Sequence, residues 1–117
     1  MAGTNKEILS RLTQGLVTMK KLNPKVTETF SALDKAAFEA GVLDAKTKEL
    51  IAVAIGVAIR CDGCIAVHTK HAVRAGATVE EVTEALGVAV AMGGGPSVVY
   101  STRALEALVE FTAPPSS

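Results

Sequence analysis

Residues 51–59, IAVAIGVAI, are the longest apolar run of the chain, and what that run becomes decides the class of fold. A short apolar stretch rich in β-branched residues suits a buried strand as well as a buried helix. The charged lead-in DAKTKEL at 44–50 extends it beyond the usual strand length, and no second strand pattern is present to take up its backbone hydrogen bonds. The run is therefore predicted to be helical, capped by Asp44 and continuing to about Arg60. Apolar on every side, it belongs at the centre of the molecule.

The remaining segments also read as helices. Thr4 and Glu7 have capping-box spacing, and Ile8, Leu9, Leu12, Leu16 and Met19 recur at helical intervals. Asn23 before Pro24 pairs a cap with a first-turn proline, and Phe30, Leu33 and Phe38 carry that helix to a stop at Gly41. Cys61 or Asp62 opens a fourth helix that closes at Gly76. Thr78 with Glu81 repeats the capping-box pattern for a fifth, from Val79 to about Met92. GGGPS at 93–97 breaks the chain, and Pro96 starts a last helix with Val98, Val99, Leu105, Leu108 and Phe111. The expectation is an all-α bundle of about six helices. It forms a single domain over 1–117, with an N-terminal helix at 4–20, a core over 23–112 and a tail at 113–117 that frays.

Such a bundle has to fill its core with small side chains. Aromatic residues are only 3% of the chain and tryptophan is missing, so Ala, Val, Leu and Ile must supply the packing. Each buries little area, which gives a domain of 117 residues a reason to bury more surface against copies of itself, and a homo-oligomer is expected. Basic and acidic residues balance at 12 each without a basic cluster, which argues against nucleic acid and anionic membrane as partners. The run at 51–59 is far short of a membrane span, and MAGTNKEILSRL lacks the basic-then-apolar order of a signal peptide. A cytoplasmic protein is the expectation. In that reducing compartment a close cysteine pair is more readily catalytic, redox-active or metal-binding than a static staple.

The pair lies in RCDGCIAVHTKH, residues 60–71, which holds every cysteine and histidine of the chain. Cys61, Cys64, His68 and His71 step by three, four and three, so on one helix they share a face, with the cysteines in its first turn. The positive end of a helix dipole favours the thiolate and can lower a cysteine pKa well below its free value of ~8.5. A thiolate beside a second thiol can attack an oxidant, and its neighbour can then resolve the product into a disulfide. If the chain turns near Arg60 and the flanking helices pack antiparallel, Glu49 lies roughly 15 Å before the turn and His68 roughly 10 Å after it, at ~1.5 Å per residue. A carboxylate opposite a histidine one turn above a cysteine is the arrangement needed to hold an imidazole and pass on a thiol proton.

Other readings of these residues stay open. The cysteines can be two small buried hydrophobes. Zinc is a poor fit to the set, because four ligands on one helical face span about 15 Å and no second cysteine pair exists to form a knuckle. His68 alone can be a satisfied core histidine, His71 an ordinary surface or interface residue, and Glu49 a solvated helix residue unless His68 is near. MGGGP at 92–96 has no lysine or preceding strand to make a phosphate cradle, and reads as a tight interhelical turn.

Taken together, Glu49, Cys61, Cys64 and His68 in the pattern E-x11-C-x2-C-x3-H, with MGGGPSVVY further on, resemble the alkylhydroperoxidase AhpD-like branch of the carboxymuconolactone decarboxylase family. The resemblance runs from about Pro24 to Leu108. It implies an all-helical fold and peroxide reduction by disulfide chemistry, with no cofactor and no metal. Cys64 maps on the nucleophile, Cys61 on the resolving cysteine, and Glu49 and His68 on the proton relay. It also implies a small-molecule peroxide substrate, a dithiol reductant such as a dihydrolipoyl-bearing protein, and a hexamer built as a trimer of dimers. Gly63 stands where better-studied relatives carry a second histidine, so a shorter relay or a weaker peroxidase is expected. The decarboxylase branch lacks the cysteine pair, which turns the reading away from that activity. A non-catalytic thiol redox sensor, a generic disulfide reductase and a structural helical binding protein remain as alternatives.

Overall fold

Among the described residues six helices carry the fold, in the order α1 Asn5–Leu22, α2 Pro24–Phe38, α3 Ala45–Ala58, α4 Asp62–Arg74, α5 Val79–Gly93 and α6 Gly95–Thr112. The structure, a computed structural model, describes residues 3–113, and among them there is no strand. The family of helices expected from periodicity is therefore present, and residues 114–117 of the expected tail lie outside the described range.

Local chemistry sets most of the boundaries. Thr4 Oγ1 accepts the Glu7 N–H and starts α1, and Asp44 Oδ1 accepts the Thr47 N–H at 2.8 Å and starts α3. At α5 the box is complete, because Thr78 Oγ1 accepts the Glu81 N–H while the Glu81 carboxylate accepts the Thr78 N–H. Two expectations are corrected. Asn23 does not cap α2 with its side chain; its N–H instead donates to Met19 O and closes α1, which runs on to Leu22. The second helix ends at Phe38, ahead of Gly41, where Glu39 turns to extended backbone. Between α5 and α6, Gly94 adopts φ 70°, a conformation open to glycine at little cost, and the two helices follow one another almost without a linker.

The core lies between α3, α4, α5 and α6, built on Val53, Val57, Ile65, Val82, Leu86 and Leu108 with Ala72, Ala89 and Ala104 between them. Full burial of one such branched side chain contributes roughly 1.5–3 kcal/mol. The helix α1 lies across α4 and α6, while α2 rests on α1, makes a smaller contact with α3 and reaches α4 through its last residue, Phe38. Glu110 of α6 fastens α1 by accepting the N–H groups of Asn5 and Lys6 and the Asn5 side-chain amide. A negative charge there complements the positive end of the α1 dipole.

The central helix is only partly covered. Val53, Gly56 and Val57 are buried, yet Ile51, Ile55 and Ile59 form a stripe that is 45%, 54% and 64% exposed in the chain. Apolar on all sides, α3 has more apolar faces than α4, α5 and α6 can cover. No described helix is long and apolar enough to cross a membrane.

Candidate functional site

The turn from α3 to α4 places the site. Arg60 takes φ 59°, and Cys61 follows in extended backbone as the N-cap of α4, its N–H donating to Gly56 O. Its sulfur accepts the Cys64 N–H at 3.1 Å, a cap bond of the kind serine and threonine usually make. Cys61 and Cys64 are paired as a disulfide with their Cα atoms 5.2 Å apart. Gly56 lets the two helices approach here, since a Cβ on it would lie 3.2 Å from Cys64 Cβ.

The antiparallel packing of α3 on α4 brings Glu49 and His68 together. Glu49 is 8% exposed, and its Oε2 lies 2.8 Å from His68 Nδ1. Phe38, at the end of α2, stacks on the His68 ring with centroids 4.9 Å apart and planes 12° from parallel. The His68 ring is thus held by Glu49 of α3 and by Phe38 of α2. With Nδ1 turned to Glu49, Nε2 is the nitrogen left for other work. Cys64 and His68 both line an open cleft of about 350 Å³ whose other walls include Phe38, Ile51, Ile55 and Ile59. Of the two cysteines, Cys64 lines the cleft.

His71, one turn further along α4, joins the same group. Its Nδ1 is 3.6 Å from Glu49 Oε1, beyond hydrogen-bond length, and its ring meets that of His68 edge to face at 5.8 Å. Glu49, His68 and His71 offer ligand atoms that all lie within 4.8 Å of one another. A cation would therefore find its ligands in this trio, since the cysteines of the four-residue set weighed for zinc are bonded to each other.

Two contributors escaped the sequence reading. Phe38 was legible as an apolar position of α2, but nothing local marks it as a platform for a histidine thirty residues on. Asp62, between the cysteines, pairs with Arg103 of α6, whose guanidinium also lies 4.6 Å above the Tyr100 ring. Burial pushes the Asp62 carboxyl up, yet the hydrogen bond and charge of Arg103 help to hold it below its ordinary value. Asp62 is therefore a paired carboxylate beside the cysteines. Gly63 faces α1, where an added Cβ would lie 3.0 Å from Leu12 Cδ1, so a side chain at this position would press on the Leu12 side chain.

The carboxymuconolactone decarboxylase family pattern matches residues 24–107. A protein of that family from Legionella pneumophila superposes with a TM-score of 0.91 at 47% identity, covering 93% of this chain and 97% of that one. Another from Thermotoga maritima, for which a part in an antioxidative response has been suggested, superposes at 0.79 with 34% identity over 87% of each chain. An uncharacterized protein of Haemophilus influenzae is 46% identical over 102 residues, which are 87% of this chain and 90% of its own length.

Proposed function

The chain belongs to the carboxymuconolactone decarboxylase family, and on that premise we propose that it is an enzyme of the alkylhydroperoxidase AhpD-like kind, a thiol-dependent hydroperoxide reductase that cycles Cys61 and Cys64 between dithiol and disulfide. The observation that carries this reading is the 2.8 Å bond between His68 Nδ1 and Glu49 Oε2 at the edge of the cleft that Cys64 lines. The apolar walls of that cleft suit the organic part of a hydroperoxide.

In the reduced protein His68, oriented by Glu49, takes the proton of the Cys64 thiol. The thiolate attacks the outer oxygen of the hydroperoxide. A sulfur–oxygen bond forms as the oxygen–oxygen bond breaks, and the alkoxide leaves as an alcohol with the proton that His68 received. Cys61 then attacks the sulfur of the Cys64 sulfenic acid, the disulfide forms, and water departs with the Cys61 proton. A dithiol returns two electrons and two protons by thiol–disulfide exchange, with a dihydrolipoyl-bearing protein as the proposed donor and the cytoplasm as the proposed compartment.

Turnover of cumene hydroperoxide with dihydrolipoamide as reductant tests the proposal. The wild-type chain is expected to consume the two in equal amounts, and Cys64→Ser to consume neither. Reduction of disulfides by the dithiol without hydroperoxide turnover would move the reading to a generic disulfide reductase. No thiol chemistry in either assay would leave the cysteines structural.

A further inference from the structure

We propose that Glu49, His68 and His71 form a binding site for a divalent transition-metal cation, with zinc the best match in chemistry. The three ligand atoms already lie within 4.8 Å of one another without the cysteines taking part. Two imidazoles one turn apart on one helix, joined by a carboxylate from the helix packed against it, is the way helical bundles commonly assemble a metal site. Two nitrogens and one oxygen suit zinc and its first-row neighbours better than magnesium or calcium, which prefer oxygen alone.

The charge at the site points the same way. Glu49 is buried, and among the described residues its ion-pair partners are these two imidazoles; the neighbouring Lys48 instead donates to the Glu39 carbonyl. A carboxylate removed from water is stabilised by a positive partner, and a cation seated between the three groups supplies one. Geometry permits the closure. The spacing of ~3.3 Å between ligands of a tetrahedral site asks mainly for a rotation of His71, whose side chain is 44% exposed. The stack on Phe38 already fixes the His68 ring, and the exposed side of His71 leaves a fourth position for solvent.

A bound cation and proton transfer exclude each other at His68, so the ion would silence the relay. That consequence rests on the function proposed above; the site itself does not.

The test is a titration of the full chain in its disulfide form, with cobalt(II) chloride followed by visible absorption and with zinc chloride followed by calorimetry. One ion per chain is expected, without the intense near-ultraviolet band of thiolate bound to cobalt. Glu49→Gln and His71→Ala should each weaken binding by about tenfold or more, the least that loss of a ligand should cost. Circular dichroism checks their helicity, and if Glu49→Gln fails to fold, the exposed His71→Ala decides alone. No binding, or a smaller change than tenfold in a folded variant, overturns the site. Because the cysteines are oxidised and binding is the readout, a negative result leaves the hydroperoxide chemistry untouched, and a failed peroxidase assay leaves the metal site untouched.

Discussion

A carboxylate on a helix as apolar as α3 is costly to bury unless donors or charge meet it, and Glu49 meets His68. That pairing was legible as an inference from antiparallel packing across the turn at Arg60, because helix rise alone puts the two at similar depth. What was not legible is the third wall of the site. Phe38 reaches His68 only because α2 ends beside α3, and no local pattern reports the meeting of helices far apart in sequence. The role of His71 likewise stayed open between a member of the cysteine and histidine face and an ordinary surface or interface residue, since one spacing serves a helix face whether or not a carboxylate arrives from outside. If Glu49 and His68 act as one unit on Cys64, Glu49→Gln and His68→Gln should each lower hydroperoxide turnover by about 10²–10⁴. Each should also move the pH profile of Cys64 alkylation by iodoacetamide upward, and the double variant should be little worse than either single one. Unchanged profiles in both single variants would contradict the relay.

At the scale of the helix, caps that sit within a few residues of what they cap were readable. Asp44 and the Thr78–Glu81 box start their helices where their spacing predicted. Asn23 had an equally good signature and fails, because its backbone closes α1 and its side chain makes no bond to α2. The contrast gives a direct comparison in urea denaturation. Thr78→Ala should cost about 0.5–2 kcal/mol, and Asn23→Ala far less. Equal losses would show that the Asn23 side chain caps after all. Close contact between helices is a second property that short-range patterns do not report. Gly56 read as one more small residue of an apolar run, yet it sets the distance between α3 and the turn that carries Cys64. Gly56→Ala should destabilise by about 1–3 kcal/mol through overpacking, and should perturb disulfide formation between Cys61 and Cys64. A variant as stable as the wild type would mean that the helices can part without loss.

For the whole molecule, all-helical architecture was legible and the degree of closure was not. The all-round apolar character of α3 predicted a central position, and its Ile51, Ile55 and Ile59 face is exposed in the chain, as are Phe30 and Leu33 of α2 and Leu16 of α1. Exposed apolar surface on this scale fits association with further copies, and we propose a homo-oligomer larger than a dimer, with a hexamer as the specific expectation. Light scattering at micromolar concentration checks it; a monodisperse monomer would contradict it. Acid should loosen the fold through Glu110 and Asp62. Burial raises both carboxyls, but the Asn5 and Lys6 donors at Glu110, and Arg103 at Asp62, help to hold each below its ordinary value in the folded chain. Groups depressed in this way stabilise the fold above their unfolded values of about 4, and that contribution is lost as the pH falls through the folded ones. Thermal melting should therefore decline below about pH 4, and Glu110→Gln should flatten the decline. A melting temperature independent of pH in that range would show that neither carboxylate matters to folding.

On the proposed mechanism Cys64 and Cys61 divide one two-electron reaction between them. The most direct measurement is the intact mass of the pre-reduced chain after one equivalent of cumene hydroperoxide. The wild type is expected to lose two hydrogens and release one equivalent of alcohol, Cys61→Ser to gain one oxygen at Cys64, and Cys64→Ser to remain unchanged. A wild-type chain that keeps both thiols, or a Cys64→Ser variant that gains the oxygen at Cys61, would contradict it.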